Sequence, residues 1–209
     1  MRHNPYKIVQ MFEETMADYT GAPYAVSLNS CTNAIFLSCK WAGVEGNEVI
    51  IPQQTYLSPP QSIRQAGGEL VFENIEWEGI YQLKPFPIYD AAKRLTSGMY
   101  IPGTFMCLSF HIKKHLKIGK GGMILCDDPI AAKWFKARRY EGRTDGLKYH
   151  EDMIEEEGWN MYMTPEQAAR GLTLMQNYPE HMPDIPEKPP YRNLSEFKLF
   201  QDVEVRENG

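Results

Sequence analysis

Apolar residues recur along this chain in two rhythms, and the switches between them mark out its elements. Residues 5–19 (PYKIVQMFEETMADY) place Ile8, Met11, Phe12 and Met16 at helical spacing, with Gly21 as the stop. AVSL (25–28) is a short apolar run that reads as a buried strand. NSCTNAIFLSCKWAGV then opens on Asn29 and Ser30, both good helix caps, and continues as an apolar-faced helix. EVIIP (48–52) is a second strand. SPPQSIRQAGG (58–68) begins in Ser-Pro-Pro and ends in Gly-Gly, a helix punctuated at both ends. ELVFENI (69–75) is a third strand. The alternation of helix and strand predicts an α/β fold, a mostly parallel mixed sheet sandwiched by helices.

The rhythm weakens from Glu76 to Pro87, and no full helix is expected there. FPIYD (86–90) is a strand ending in an aspartate. MYIPGTFMCLSF (99–110) holds one or two strands and GGMILCD (121–127) another. Asp128 caps a helix over 128–140, and residues 141–160 form a long polar loop. Over 164–178 Thr164 caps, Pro165 occupies the first turn and Glu166-Gln167 support the start. The proline-rich PEHMPDIPEKPPY reads as an extended linker, and SEFKLFQDVEVREN as one edge strand. The expected division is a domain over 1–178 and a linker with a short tail over 179–209.

Composition narrows the class. The chain has 209 residues, 43% hydrophobic and 23% charged, with a net charge of −5. That length suits one domain, or one with a small appendage. No basic excess is available to neutralise phosphates, which argues against a nucleic-acid surface. Positive charge is local instead, in SFHIKKHLKIGK and KARRYEGR, as for a small anionic ligand or a solvated face. Cys31, Cys39, Cys107 and Cys126 lack metal-ligand spacing and read as reduced cysteines. No apolar run nears membrane-spanning length, and MRHNPYKIVQ has no signal-peptide core. A cytoplasmic protein without a membrane partner is expected.

Three stretches carry candidate chemistry. NSCTNA joins a strand to a helix start, where free N–H groups and the helix dipole favour an anion, and Ser30 and Thr32 add hydroxyls. The same residues also suit a plain cap. In IYDAAK, Asp90 ends a strand, where open α/β sheets bind ligands. It can hold a protonated ring nitrogen or cap a short helix. At ~4 Å and an effective dielectric of ~20 such an ion pair is worth about 4 kcal/mol, or about three pKa units. In SFHIKKHLKIGKGG a lysine after a buried strand can present a reactive amine, although Lys113 and Lys114 also read as surface charge. His111 and His115 have metal spacing only if helical, the glycines oppose a long helix, and no third ligand is evident.

These stretches, in this order, resemble the DegT/StrS family of sugar aminotransferases, fold-type-I enzymes that use pyridoxal phosphate (PLP). NSCTNA resembles the family's Ser-Gly-Thr-Ala-Ala turn, and VEGNEVIIPQQTYLS its Gly-Asp-Glu-Val block with Pro and Thr-Phe. IYDAAK resembles Glu-Asp-Ala-Ala-Gln/His. SFHIKKHLKIGKGGMILCDD resembles the Ser-Phe-His-x-x-Lys block with Gly-Glu-Gly-Gly, and GWNMYMTPEQAARGL the Gly-Tyr-Asn-x-Arg block with Gln-Ala-Ala. The likeness runs from Pro5 to Tyr178.

The resemblance implies the fold of the family's large cofactor domain and a role for each matching residue. The Schiff-base lysine lies five positions after the serine, which gives Lys114 rather than Lys113. Asp90 would pair with the ring nitrogen, and Tyr56 would stack on the ring. Ser30, Cys31, Thr32 and Ser109 would hold the phosphate. Asn160 would reach the neighbouring subunit's cofactor, implying a homodimer with shared active sites. The reaction would move an amino group from an amino acid, commonly glutamate, to a nucleotide-linked keto-sugar. A PLP enzyme of another reaction type and a non-catalytic PLP-binding or dimerisation module are the alternatives.

The chain departs from the pattern at several points. Lys93 stands where the family has Gln or His, Cys31 replaces a glycine, Lys120 a glutamate and Tyr162 an arginine. The segment between Ile75 and Tyr89 is short by at least one strand–helix unit, and the tail stands where the family's small domain would be expected.

Overall fold

The computed structural model describes Asn4, residues 6–186 and residues 190–207. Pro5 of the expected first helix, residues 187–189 of the proline-rich stretch and Asn208 of the expected edge strand lie outside the described residues.

Helix α1 (Lys7–Thr20) ends where Gly21 takes φ 76° and donates its N–H to Ala17. Its buried face runs through Val9, Phe12, Met16 and Thr20. Met11, expected on that face, is exposed, because the helix is rotated so that Val9 takes the inward position. Strand β1 (Tyr24–Leu28) leads to α2 (Cys31–Ala42), where Ser30 is the cap, its hydroxyl accepting from the Asn33 N–H at 3.1 Å. Next come β2 (Glu48–Pro52), α3 (Ser58–Gln65) and β3 (Glu69–Glu73). Two short strands, β4 (Tyr81–Gln82) and β5 (Ile88–Asp90), precede β6 (Phe105–Ser109) and β7 (Gly122–Cys126). The stretch 99–110 therefore holds one strand. Asp128 caps α4 (Pro129–Arg138) through the N–H groups of Ile130 and Ala131. Thr164 and Gln167 form a reciprocal capping box on α5 (Pro165–Met175). The final strand is β8 (Glu204–Arg206).

The strands form two sheets, ordered β1-β7-β6-β5-β4 and β2-β3-β8. An antiparallel bridge between Ile50 and Lys84, on the chain just leaving β4, joins them. Pairing is antiparallel at β1/β7, β6/β7 and β4/β5, and parallel at β5/β6, β2/β3 and β3/β8. Only β4 and β7 therefore run against the other strands, the mixed and mostly co-directional sheet expected of an α/β chain. Alternate residues of β7 go to opposite faces. Ile124 and Cys126 join a core with α2, α3 and α4, while Met123 and Leu125 join a core with α1 and α5. Both faces are covered by helices, which explains why the central strands read as unbroken apolar runs.

The cationic run KARRYEGR serves the fold in part. Arg139 is buried against Glu13 of α1 and donates to the carbonyl of Ser27 at 2.6 Å. Burial pushes the Glu13 carboxyl up, but Arg139 and Lys136 outweigh it and hold the carboxyl below its ordinary value.

Past α5 the chain returns across the domain. Arg94 binds Asp184, with Nε 2.8 Å from Oδ1, and the Leu194 N–H donates to the carbonyl of Gln53 at 2.9 Å. Leu194, Phe200 and Val203 are buried, and the Phe200 ring meets Phe72 edge-on at 5.7 Å. Arg206 clamps Glu48 through two hydrogen bonds, and β8 adds to the edge of β3, as the expected edge strand. Phe200→Ala should lower unfolding free energy by about 3–5 kcal/mol, since it empties a fully buried aromatic site. Urea unfolding would show this, and a loss below ~1 kcal/mol would mean that the tail contributes nothing to the core. Among the described residues no helix is long and apolar enough to cross a membrane.

Candidate active site

Strand register gathers the candidate residues on one edge of the larger sheet. Leu28 at the end of β1 pairs with Gly122 at the start of β7, and Gly122 pairs with Ser109 at the end of β6. One strand further, Asp90 ends β5 opposite Cys107. The α2 turn, Ser109 and Asp90 thus follow one another along the carboxyl ends of co-directional strands, where α/β sheets present ligands.

At the α2 turn the backbone comes unusually close to β7. A Cβ on Gly122 would lie 2.2 Å from the carbonyl carbon of Ser30 and 2.3 Å from the nitrogen of Cys31. Only glycine permits this approach, which accounts for the second glycine of the Gly-Gly pair. Ser30 and Thr32 are half-buried. The first amides of α2, at Cys31 and Thr32, have no acceptor within their own helix. Cys31 is buried with its Sγ 3.5 Å from the Cys107 carbonyl oxygen. Burial, Asp90 and Cys107 push its thiol far up, against a smaller downward pull from Lys114, so it stays a neutral packing group.

Asp90 is buried, with 6% of its surface exposed. Its Oδ1 accepts from the Ala92 N–H at 2.9 Å, closing a turn rather than starting a helix. Its Oδ2 accepts from the Tyr81 hydroxyl at 3.1 Å. Burial raises the carboxyl above its ordinary value, opposed by the Ala92 N–H, Lys114, Tyr81 and Lys93.

Beyond Ser109 the chain turns sharply, and the Lys114 N–H donates to the carbonyl of His111 at 2.8 Å. The turn separates the two adjacent lysines. Lys113 is exposed, whereas Lys114 is half-buried and its charge is felt by both Asp90 and Cys31. The Ser109 hydroxyl accepts weakly from the His111 N–H at 3.4 Å. His111 is exposed and His115 contacts the Lys93 carbonyl at 3.1 Å, so the two imidazoles have separate surroundings.

Lys93 is buried, its ammonium 5.2 Å from the Trp77 ring centre and 5.6 Å from that of Tyr191. Tyr56 is 56% exposed, and its ring centre is 6.3 Å from that of Tyr191. Asn160 is exposed and donates to Glu141 at 3.2 Å. The next residue ties this segment to the α2 turn, since the Met161 carbonyl accepts from the Asn29 N–H at 2.8 Å. Sequence reasoning did not select Thr55, Trp77, Tyr81 or Tyr191. Thr55 sits inside a matched block, but the other three carry no periodic or motif signal.

This arrangement fits PLP. It offers amides and hydroxyls for a phosphate at α2 and Ser109, a buried carboxyl for a ring nitrogen, and a half-buried amine in electrostatic reach of that carboxyl. Comparison with known proteins identifies the family. The family model for the DegT/DnrJ/EryC1/StrS aminotransferases matches residues 2–101 and 97–184. The spore coat polysaccharide biosynthesis protein SpsC of Bacillus subtilis is 27% identical over 217 aligned positions, covering 78% of this chain and 55% of SpsC. GDP-perosamine synthase of Caulobacter vibrioides is 26% identical, covering 84% of this chain and 58% of the synthase. The solved structure of Spr1654 from Streptococcus pneumoniae superposes with a TM-score of 0.70 in its PMP form and 0.67 in its PLP form, at 20% identity, covering 82% of this chain and 59% of Spr1654. The chain thus spans somewhat over half the length of these relatives. With most of its length matched by the family model, it belongs to the DegT/DnrJ/EryC1/StrS aminotransferase family.

Proposed function

We propose that this chain carries the cofactor site of a PLP-dependent aminotransferase that moves an amino group from an amino acid, with glutamate the expected donor, to a nucleotide-linked keto-sugar. The observation that carries the proposal is a buried aspartate at a strand end, within electrostatic reach of a half-buried lysine and on the same side of the sheet as the start of α2. Residues 1–178 hold the cofactor in this reading, and residues 179–209 form the linker and tail.

Bound PLP would supply an electron sink for the bond broken at the donor's Cα. Lys114 Nζ would hold the cofactor covalently and would serve as the base for the proton on the donor's Cα. Asp90 holds the proton on the ring nitrogen. Ser30, Cys31, Thr32 and Ser109 bind the phosphate, Tyr56 covers one face of the ring, and Asn160 completes the phosphate site of a second subunit in a homodimer. Purified protein given PLP should turn yellow, and glutamate should bleach that colour. Yellow protein that glutamate leaves unchanged would point to another PLP reaction or a non-catalytic module. Protein that takes up no PLP would remove the reading.

Lys93 gives this site its own character. Its cation lies beside the position of the cofactor's phenolic oxygen in this reading, and it should favour loss of the bound chromophore's proton. Replacing it with glutamine should raise the chromophore's absorbance midpoint by about one pH unit, the size expected for one charge several ångströms away. Superimposable titrations of the wild type and Lys93→Gln would contradict this role.

A further inference from the structure

We propose that Tyr81, itself held by Thr55, is a positioning residue that fixes Asp90 toward its ligand; the inference rests on the cofactor reading above. The antiparallel register of β4 and β5 puts Tyr81 directly opposite Asp90. Both Tyr81 and Thr55 are buried, at 6% and 2% exposure. The Thr55 hydroxyl donates to the Tyr81 oxygen at 2.9 Å, and the Tyr81 hydroxyl donates to Asp90 Oδ2 at 3.1 Å. A tyrosine has a single hydroxyl proton. Because Thr55 fills the accepting side of Tyr81, that proton is committed to Asp90, and the two bonds polarise each other. The Trp77 ring, 4.7 Å away and tilted at 64°, holds the phenol in place.

The result is a carboxylate fixed at both oxygens. Ala92 holds Oδ1 and Tyr81 holds Oδ2, and each oxygen keeps a second lone pair able to accept from a ring N–H. Burial and the Asp90 charge push the Tyr81 phenol well above its ordinary value, so it remains a donor throughout the working range. The other groups around Asp90 are the cations of Lys114 and Lys93 and the thiols of Cys31 and Cys107. Burial pushes both thiols up, leaving them uncharged. Tyr81 lies in the connection between β3 and β5, so this connection supplies its own support for the aspartate.

The test is a carboxyl carbon NMR titration of Asp90 in the full chain without cofactor, its signal identified by loss in Asp90→Asn. Tyr81→Phe keeps the ring and should move the Asp90 midpoint up by about one pH unit, as a hydrogen bond to the ionised form is lost. Thr55→Val should move it the same way by less. Since Thr55 acts through Tyr81, the double variant should match Tyr81→Phe alone. In the loaded protein Tyr81→Phe should weaken PLP binding about tenfold. An unmoved midpoint in Tyr81→Phe, or an additive double variant, overturns the proposal. A shifted midpoint in a protein that takes up no PLP supports the Tyr81 contact and removes the cofactor reading instead.

Discussion

Lys114→Ala should abolish covalent retention of PLP, while Lys113→Ala should leave it intact. The two lysines are neighbours in sequence, identical in chemistry and different in exposure. The turn closed by the Lys114 N–H on His111 sends Lys113 to solvent and leaves Lys114 half-buried. The Lys114 charge acts on Asp90, buried at the end of β5, and on Cys31, buried at the start of α2. A solvated amine has no fixed geometry toward a cofactor, whereas a half-buried one samples fewer orientations and loses less freedom on attack. Loss of the proton-transferring amine alone should slow the glutamate half-reaction by about 10²–10⁴-fold. Borohydride reduction followed by dialysis reads the result. A stable label in Lys114→Ala would assign the chemistry to another residue.

Asp90→Asn should keep the fold and slow the glutamate half-reaction by about 10³-fold. The substitution preserves size, but its amide oxygen can accept from only one of Ala92 and Tyr81, so stability should fall by about 1–3 kcal/mol without loss of the fold. What disappears is the negative charge. An ion pair to a protonated ring nitrogen at close range is worth about 4 kcal/mol at an effective dielectric of ~20. Losing it from the transition state corresponds to about three decades in rate. Burial makes this charge costly to maintain, and the Ala92 N–H, Lys114, Tyr81 and Lys93 offset that cost. Stopped-flow absorbance of the loaded variant measures the rate, and an unchanged rate would remove Asp90 from the mechanism.

Much of the fold was legible because local chemistry and tertiary structure agree. Ser30, Asp128 and Thr164 cap the helices they were expected to cap, since a capping oxygen satisfies backbone donors whatever surrounds it. Helix phase was less secure. Met11 and Val9 both suit an apolar face of α1, and only packing against β1 and α5 selects Val9. Strand β4 went unread because two residues carry no period; its identity comes from pairing with β5. The tail was read as an extended linker with an edge strand, yet it also buries Leu194, Phe200 and Val203. Those residues approach the core through tight 3-10 turns at Leu194–Glu196 and Lys198–Phe200, which break any simple rhythm.

The site was legible to a similar degree. Asp90 stood out by ending a strand and the α2 turn by its composition, whereas Ser109 entered through the family resemblance. Choosing Lys114 over Lys113 required the family resemblance, because adjacent lysines in a turn are equivalent to any periodic argument. Tyr81 and Tyr191 could not be found in this way. Tyr81 meets Asp90 through cross-strand pairing, and Tyr191 reaches Tyr56 and Trp77 from the far end of the chain.

The most direct test is peptide mapping of the wild-type chain after reduction with borohydride in the presence of PLP. The account predicts one phosphopyridoxyl group per chain, on the peptide containing Lys114 and on that lysine. Label on Lys113, Lys117 or Lys120, or an unlabelled chain, would contradict it.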